Sequence, residues 1–383
     1  MTVLGIETSC DETAAAVVST TGDPARPWLL RSNVIASQFN VHREWGGVVP
    51  ELASRQHVRD ICGVVDQALA VADVDWPGID AIAVTQGPGL VGALLVGVSF
   101  AKAAAAALGK PIVAVHHLAG HIESICLEHG EMPLPALVLV VSGGHTSLYV
   151  VPEPGRYQLV GRTRDDAAGE AYDKVARLLG LGFPGGPAVD RLAREGDDRA
   201  VELPRSRFTH ADRNATPAAE PAGIAPPQVA EFSFSGLKTA VVRLLQQRGV
   251  HAAAGPAAGS GQASSARPEG ARSGQGALSQ QEVADFCASF QRVVVETLLD
   301  RTFDAARRLG VRSIGIAGGV SANSRLRADA LARGVREGLP VFIPSLALST
   351  DNAAMIAAAG LRKMARGETS PLDFNAEASI AIA

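Results

Sequence analysis

The fold class follows from Ala136-Leu-Val-Leu-Val-Val-Ser-Gly-Gly-His-Thr-Ser-Leu-Tyr-Val-Val151, which repeats a pattern found at the start of the chain. An apolar run predicts a buried strand, a small polar turn follows at 142–145, and residues 146–151 predict a second strand. The matching strand, turn and strand near the amino terminus are residues 3–7, 8–13 and 15–18. The two layouts predict an internal repeat of one α/β unit.

Strand and helix patterns alternate along the rest of the chain, which favours a parallel α/β order in both halves. Further strands are predicted at residues 79–85, 111–115, 313–316 and 341–343. Helices are predicted at residues 51–71, 89–108, 167–179, 279–309, 323–338 and 351–366, with another one beginning at Gly236.

Two segments do not fit this scaffold. Residues 252–277 contain no Val, Ile, Leu, Met, Phe, Trp or Tyr. They cannot bury enough apolar surface to offset the entropy lost on ordering, so a disordered surface insertion is predicted. Residues 212–230 are rich in Pro and Ala and are predicted to be a loop.

The composition is that of a globular protein with room for two domains. The chain has 383 residues, of which 47% are hydrophobic and 19% are charged. Its formal net charge is −4, so a nucleic acid would have to be bound by a local patch or through a basic partner. Aromatic residues make up 4% of the chain, which argues against a base-stacking platform.

The cysteines and the amino terminus favour a cytoplasmic protein. The four cysteines are scattered without a CxxC spacing, as expected in a reducing compartment. The chain enters a strand pattern directly, without the basic and apolar regions of a signal peptide. The apolar run 89–108 contains two glycines, a serine and a lysine, so a buried helix is predicted there rather than a membrane span.

Three turns of small residues are candidates for binding an anion or a nucleotide. Residues 8–13 offer hydroxyls and two carboxylates, and residues 141–145 offer backbone N–H groups that an anion can approach closely. Residues 317–323 lead from a strand into a helix amino terminus, which favours a phosphate or the polar edge of a base. Such turns mostly serve backbone geometry, but three of them favour a nucleotide cleft between domains. None has a Walker A or GxGxxG pattern, which disfavours a P-loop NTPase or a dinucleotide oxidoreductase.

Two histidines, His117 and His121, follow the predicted strand 111–115. If this segment is a helix, their spacing places both side chains on one face, where they could share a metal ion. The same spacing is more often a polar helix face. No glutamate stands between them as in His-Glu-x-x-His, which argues against a metalloprotease. The neighbouring His116 points elsewhere and is predicted to be structural.

Ten segments form an ordered set of motifs over nearly the whole chain, outside the two insertions. They are Gly5-Ile-Glu-Thr-Ser-Cys-Asp-Glu-Thr13, Gly46-Gly-Val-Val-Pro-Glu-Leu-Ala-Ser-Arg55, Gly87-Pro-Gly-Leu-Val-Gly92, His117-Leu-Ala-Gly-His121, Val141-Ser-Gly-Gly-His-Thr146, Gly169-Glu-Ala-Tyr-Asp-Lys174, Phe183-Pro-Gly-Gly-Pro187, Phe232-Ser-Phe-Ser-Gly-Leu-Lys238, Gly318-Gly-Val-Ser-Ala-Asn323 and Ser349-Thr-Asp-Asn352. In this set the chain resembles the universal family of tRNA N6-adenosine threonylcarbamoyltransferases. One such motif alone is unspecific, whereas ten in order are highly specific.

The resemblance implies an α/β fold like those of actin, sugar kinases and heat-shock chaperone ATPases, with two duplicated domains around a nucleotide cleft. The first domain would be residues 1–130, completed by a C-terminal helix at 351–383, and the second would be residues 131–350. The implied reaction is attack by the N6 amine of the adenosine 3′ to the anticodon on the carbamoyl carbon of threonylcarbamoyl-AMP, with release of AMP. The substrate tRNAs would be those that read codons beginning with A.

The resemblance also implies a metal site. Its ligands would be His117, His121 and Asp351, at one divalent ion per subunit. Two histidines and one aspartate with open positions suit Fe²⁺, and also Zn²⁺ or Mn²⁺, and the family suggests iron. Ala119 stands where many relatives have a glutamate, which leaves the ligands intact but puts the tuning of the metal in doubt.

The substrate-binding residues implied by the resemblance belong to the second half of the chain. They are Val140, Val141, Ser142, Gly143, Gly144, Asp173, Gly186, Asp190 and Asn323. The N–H groups of the strand and turn at 140–144 would face phosphate, and Gly186 would let the backbone approach the nucleoside. Asp173 and Asp190 would hold ribose hydroxyls, although both residue types are also common on solvated helix surfaces, and Asn323 would contact the adenine or its surroundings.

Other polar residues of the motifs keep open roles. Asp11 and Glu12 would face the cleft, but a general base is not assignable from sequence. Lys238 is equally compatible with binding an anion and with packing. The insertion at 252–277 is longer than the family pattern leads one to expect.

The partners implied by the resemblance are tRNA, a paralogous non-catalytic subunit of the same fold and a P-loop ATPase subunit, with no membrane. Two alternatives stay open, a small-molecule kinase or carbamoyltransferase of the same fold and a non-catalytic scaffold. A kinase would not need the histidine pair, and a degenerate scaffold would have lost both that pair and the turn at Asn323. The presence of these residues therefore favours the transferase.

Overall fold

The first half of the chain forms a five-stranded mixed sheet. The computed structural model describes residues 1–205, 230–248 and 278–382, so the predicted insertion at 252–277 and nearly all of the predicted loop at 212–230 lie outside the described residues. The strands are β1 (Thr2–Glu7), β2 (Glu12–Thr20), β3 (Trp28–Ser37), β4 (Ala81–Gly87) and β5 (Ile112–His116). Their order is β3-β2-β1-β4-β5, with β1, β4 and β5 parallel and β2 antiparallel to both of its neighbours.

The second half forms a sheet with the same plan. Its strands are β6 (Ala136–Val141), β7 (Thr146–Val151), β8 (Gln158–Thr163), β9 (Ala230–Phe232), β10 (Ser313–Ala317) and β11 (Val341–Phe342). Strands β8-β7-β6-β10-β11 match β3-β2-β1-β4-β5 in order and direction, and β9 is an additional edge strand. This confirms the predicted duplication. The predicted parallel order holds among β1, β4 and β5, among β6, β10 and β11, and between β8 and β9. Strands β2 and β7 run antiparallel to both neighbours, because a short turn joins each of them to the preceding strand.

Helices cover both sheets. They are α1 (Phe39–His42), α2 (Pro50–Ala72), α3 (Val91–Leu108), α4 (His117–His129), α5 (Ala168–Leu178), α6 (Gly185–Ala193), α7 (Ser235–Gln247), α8 (Gln280–Leu309), α9 (Ser324–Glu337), α10 (Leu346–Ser349) and α11 (Ala353–Ala365). Each predicted helix is present within about two residues of its predicted bounds. Helix α8 shows why: Ser279 and Glu282 form a capping box at its start, and Gly310 in the left-handed conformation ends it.

Helix α11 returns from the second half of the chain to the first sheet. Its alanine-rich sequence is buried from Ala353 to Arg362 and packs against β1, β2, β4 and α4. One apolar core joins it to both sheets, with Val3 from the first and Val138 from the second. The helix ends at Ala365, so the helix predicted at 351–383 is too long, and residues 366–382 form an irregular segment.

Helix α3 has the length and composition of a membrane span. It has 18 residues and a mean hydropathy of 1.9, and one third of it is buried inside the protein. Its buried face, with Val98, Ala101 and Ala105, belongs to a core on the first sheet, where the helix packs against β4 and α2. These contacts fix one face of the helix against the first sheet, and the rest of the helix is less buried than the sequence predicts.

Candidate metal centre and cleft

The junction of β5 and α4 places two histidines on one helix face. The strand ends at His116 and the helix begins at His117, so His117 and His121 stand one turn apart, 6% and 0% exposed. Asp351 comes from the connection between α10 and α11, where Asn352 caps α11 by accepting a hydrogen bond from the Met355 N–H at 3.0 Å. The Asp351 Oδ1 atom lies 3.5 Å from Nε2 of His117 and 3.2 Å from Nε2 of His121. One ligand atom from each of the three residues falls within a 4.8 Å span.

The donor set fits a divalent metal ion. Both ring nitrogens of His121 are fully buried: Nδ1 has no hydrogen-bond partner among the described residues, and Nε2 faces the Asp351 carboxylate at 3.2 Å without good hydrogen-bond geometry. Leaving a buried polar atom unpaired costs about 1–3 kcal/mol, which ligation of a cation would offset. Two imidazoles and one carboxylate are ligands for iron, zinc or manganese. The three residues predicted as metal ligands are therefore brought together in a suitable arrangement.

A buried carboxylate that the sequence prediction missed holds one of the ligands. Glu7, at the end of β1 and 1% exposed, has its Oε2 atom 3.0 Å from Nδ1 of His117. The same oxygen accepts a hydrogen bond from Thr85 Oγ1 at 2.7 Å, and Oε1 accepts one from the Ser9 N–H. A carboxylate on Nδ1 directs Nε2 towards the metal. A carboxylate thus contacts a histidine of the pair although Ala119 offers none, and no local sequence signal links a strand end to a histidine 110 residues away.

The charges of these groups compensate one another. Burial would lower the pKa of His117, but the carboxylates of Asp351 and Glu7 raise that pKa to about 9. Burial would raise the pKa values of Glu7 and Asp351, and the His117 charge is the main cause that lowers them instead. The pKa of His121 is lowered, chiefly by burial. The centre thus favours one positive charge between two carboxylates.

A cleft opens beside the centre. Its volume is about 740 Å³, and its walls include Asp11 and Glu12 from the first half of the chain and Thr350, the neighbour of Asp351. The turns after β6 and β10 meet at its second-half wall: Gly318 has φ 91°, and a Cβ there would lie 2.5 Å from the Val141 carbonyl oxygen. Only glycine allows this approach. The cleft therefore lies at the carboxyl ends of the parallel strands, where α/β sheets commonly bind ligands.

Five predicted substrate-binding residues line the cleft, namely Gly143, Asp173, Gly186, Asp190 and Asn323. The others lie deeper or beside it: the Val140 and Val141 side chains are fully buried in separate apolar cores, so only their backbone is available to a ligand. The Ser142 N–H, predicted to face phosphate, donates a hydrogen bond of 2.8 Å to the His145 carbonyl. Ser142 and Gly144 are not among the described residues that line the cleft.

The polar residues of the cleft are held by hydrogen bonds within the protein. Asp173 accepts one from the Gly185 N–H at 2.7 Å, and burial raises its pKa. Asp190 Oδ1 accepts hydrogen bonds from the Ser324 N–H and hydroxyl at 3.2 and 2.8 Å. Asn323 caps α9, with its Oδ1 accepting from a backbone N–H, and its amide donates to Gln291 at 2.8 Å. Asp173 and Asp190 are thus oriented groups in a cleft, rather than solvated helix surface.

Comparison with known proteins decides the family. A family model described as tRNA N6-adenosine threonylcarbamoyltransferase matches residues 30–358. The chain belongs to this family. The tRNA N6-adenosine threonylcarbamoyltransferase of Anaeromyxobacter dehalogenans strain 2CP-1 is 50% identical over 376 residues, which cover 98% of both chains. The one from Moorella thermoacetica is 48% identical over 376 residues, covering 98% of this chain and 95% of the relative.

The fold of this threonylcarbamoyltransferase family member is also found in distant proteins. A crystal structure of full-length HypF in its phosphate- and nucleotide-bound form aligns with a TM-score of 0.54 at 12% identity. The alignment covers 96% of this chain and 46% of that one. At this identity the likeness concerns the fold alone, and it agrees with the predicted actin-like architecture.

Two further residues of the family motifs are placed by the structure. The pKa of His145 is lowered to about 4, first by burial and then by the charges of His117 and His121. In the motif that ends at Lys238, the side chain of Lys238 is exposed on α7. The serines before it serve structure, since Ser233 and Ser235 donate hydrogen bonds to Asp165.

Glu12 has an unusual protonation state for a cleft carboxylate. Its pKa is raised to about 10, first by burial and then by the charges of Asp11 and Asp351. Burial and these neighbouring carboxylates thus favour the neutral carboxyl form, which donates a hydrogen bond rather than accepting a proton. A cation held beside Asp351 would offset that carboxylate's share of the shift.

Proposed function

We propose that this chain transfers the threonylcarbamoyl group from threonylcarbamoyl-AMP to N6 of the adenosine 3′ to the anticodon, in tRNAs that read codons beginning with A. The observation that carries the proposal is the buried cluster of His117, His121 and Asp351 beside a cleft lined by oriented polar groups. Membership of the family, with relatives of about 50% identity over the whole chain, supports the reaction and substrate.

The transfer exchanges one bond for another. The N6 amine of the adenosine forms a bond to the carbamoyl carbon, and the bond from that carbon to the phosphate oxygen of the adenylate breaks. AMP leaves with the electron pair, and the nitrogen loses one proton to a base that we do not assign. With a volume of about 740 Å³, the cleft has room for a ligand the size of the adenylate.

The chain's own residues would orient the adenylate. Asp173 and Asp190 would accept hydrogen bonds from ribose hydroxyls, and Gly186 would leave room for the nucleoside, since a Cβ there meets nothing within 4 Å. Asn323 would lie beside the adenine as part of the cleft wall, since its side-chain oxygen and amide are engaged by the Leu326 N–H and by Gln291. Gly143, whose Cβ position is also open, would let phosphate approach the turn after β6.

One divalent ion per subunit, Fe²⁺ with Zn²⁺ as the alternative, would be held by His117, His121 and Asp351. The chemistry that such an ion supplies is Lewis-acid polarisation of the threonylcarbamoyl group. The buried His121 Nε2, which faces the Asp351 carboxylate without good hydrogen-bond geometry, supports a bound cation at this place.

The assembly would include more than this chain. We propose a cytoplasmic protein of two domains, residues 1–130 with 351–383 and residues 131–350, that works with a paralogous subunit of the same fold and a P-loop ATPase. The net charge of −4 supports a tRNA site shared with partners. The isolated chain would then bind tRNA weakly and with strong salt dependence, and tight binding by the chain alone would contradict this.

The test is formation of N6-threonylcarbamoyladenosine on tRNA, with threonylcarbamoyl-AMP and the partner proteins supplied. We expect product with the wild type and its loss in His117→Ala and Asp351→Ala, with circular dichroism showing that both variants are still folded. Asp66→Ala, which removes an exposed carboxylate from α2, is the matched control and should keep full activity. No product from a folded wild type with competent partners would favour a scaffold. Undiminished product in the two variants would discard the metal site and keep the transferase.

A further inference from the structure

The irregular segment after α11, residues 366–382, runs back along the edge of the first sheet. We call it the C-terminal strap. Its first anchor is Ser370, whose N–H donates to the Ile112 carbonyl at 2.8 Å and whose hydroxyl accepts from the Ala114 N–H at 2.9 Å. The strap thus begins as a short added strand on β5, the strand that leads directly into α4.

The middle of the strap is fixed to the first half of the chain at two more places. The Lys102 ammonium group donates to the Phe374 carbonyl and lies 4.5 Å from the centre of the Phe374 ring. The Glu377 N–H donates to the Gln86 carbonyl at 2.9 Å, and the Gln86 side-chain amide donates to the Glu377 carboxylate at 3.0 Å. The Gln86 amide also donates to the Asn375 carbonyl at 3.1 Å, so six hydrogen bonds fix residues 370–377 to the first half of the chain.

The end of the strap reaches the metal-binding helix through one imidazole. His116 Nδ1 accepts a hydrogen bond from the Leu118 N–H at 3.1 Å and so caps α4. Since Nδ1 accepts, the ring proton is on Nε2, which lies 3.1 Å from the Ile380 carbonyl and donates to it. The ring therefore has one fixed tautomer, with the strap on one side and the first turn of α4 on the other. His117, the first residue of that turn, is the next residue in the chain.

We propose that the C-terminal strap, acting through His116, is a positioning element for the metal centre. The bond to Ile380 holds the His116 ring, the ring holds the first turn of α4, and that turn sets the place of His117 relative to Asp351. Groups that orient a ligand without touching the metal commonly change metal affinity by 10- to 100-fold. The inference rests on the proposed metal site and adds two positioning parts that lie outside it.

The test uses the full-length protein and Zn²⁺ competed against a chelator. His116→Asn keeps an acceptor suited to a helix cap but is too short to reach Ile380, and deletion of residues 378–383 removes Ile380 itself. We expect each change to weaken Zn²⁺ binding roughly tenfold, and the two together to weaken it no more than one alone. Hydrogen exchange at the first-turn amides of α4 should become faster in both, and the absorption spectrum of bound Co²⁺ should change.

Asp373→Ala is the matched control, because Asp373 is an exposed strap residue away from His116. It should leave Zn²⁺ affinity, exchange and the Co²⁺ spectrum unchanged. Wild-type Zn²⁺ affinity in both His116→Asn and the deletion would overturn the proposal and leave the metal site standing. A combined variant whose loss of affinity equals the sum of the two single losses would do the same. A wild type that binds neither Zn²⁺ nor Co²⁺ would overturn the metal site and the strap's role together.

Discussion

Glu7 is a fully buried carboxylate at the end of an apolar strand. Such a group is stable there only because its oxygens accept hydrogen bonds from Thr85 and Ser9 and face the His117 imidazole. Its place behind the ligand, and not in contact with the proposed cation, makes it a positioning residue. It therefore acts on the metal through the orientation and basicity of His117.

Glu7→Gln is expected to weaken Zn²⁺ binding roughly tenfold, since the amide keeps the shape of the side chain but loses the charge on Nδ1. Affinity is measured by competition with a chelator at neutral pH, and thermal unfolding checks that the fold is kept. Glu44→Gln, at an exposed position, serves as the control and should bind Zn²⁺ as the wild type does. Equal affinities in all three proteins would show that Glu7 only fills space.

Metal binding is expected to release about one proton at pH 7. The pKa of His117 is raised to about 9, so with no ion bound its imidazole is protonated at neutral pH, and a metal can bind Nε2 only after that proton leaves. Affinity should accordingly rise with pH up to about 9 and level off above it. Calorimetry in buffers of different ionisation enthalpy measures the proton count, and heats that are independent of the buffer would contradict it.

At the scale of elements, the cleft depends on two turns that approach each other closely. The turn after β10 passes the end of β6 at Gly318, whose φ of 91° lies in the region that side chains disfavour. The neighbouring Gly319 has open space around its Cβ position and carries no such restraint. The two adjacent glycines therefore serve different purposes.

Gly318→Ala is expected to destabilise the protein by about 1–3 kcal/mol, because the new Cβ adds backbone strain and meets the Val141 carbonyl. Gly319→Ala should change the free energy of unfolding by less than about 0.5 kcal/mol. Urea unfolding of the two variants and the wild type measures both values. Equal stability of the two variants would refute the close approach of the turns.

At the scale of the whole molecule, a buried ion pair connects the two halves. The Arg362 guanidinium on α11 binds the Glu123 carboxylate on α4 at 3.0–3.1 Å, and the Tyr157 hydroxyl from the second half donates to Glu123 at 2.8 Å. Glu131 adds a second carboxylate 2.6 Å from Arg362. The helix that carries the histidines, the helix after Asp351 and the second sheet thus share one network.

Arg362→Met is expected to destabilise the protein by about 3–5 kcal/mol, since it leaves the Glu123 charge buried without its partner. Arg336→Met, at an exposed position on α9, should cost less than about 0.5 kcal/mol. Denaturant unfolding at neutral pH compares the two. A loss for Arg362→Met as small as that of the control would mean that the network contributes little to holding the halves together.

Strands and helices were predictable where a short stretch of sequence carries a clear apolar pattern or a helix cap. Apolar runs and helix caps placed most strands and helices within two residues of their observed bounds. Strands β3 and β8 escaped prediction because they are partly exposed and carry polar residues among the apolar ones. The antiparallel direction of β2 and β7 follows from short turns, a signal that the alternation of helix and strand obscures.

The sequence by itself determined the duplicated α/β plan, through two matching strand, turn and strand patterns. It also indicated the family through ten ordered motifs, and that resemblance, rather than the i, i+4 spacing alone, assigned His117 and His121 to one site. Only the tertiary structure decided that Glu7 and the C-terminal strap support these histidines, because the contacts join residues 110 and 264 positions apart. Such contacts arise when sheet order and helix packing bring distant segments together, and local sequence patterns do not predict which distant segments will meet.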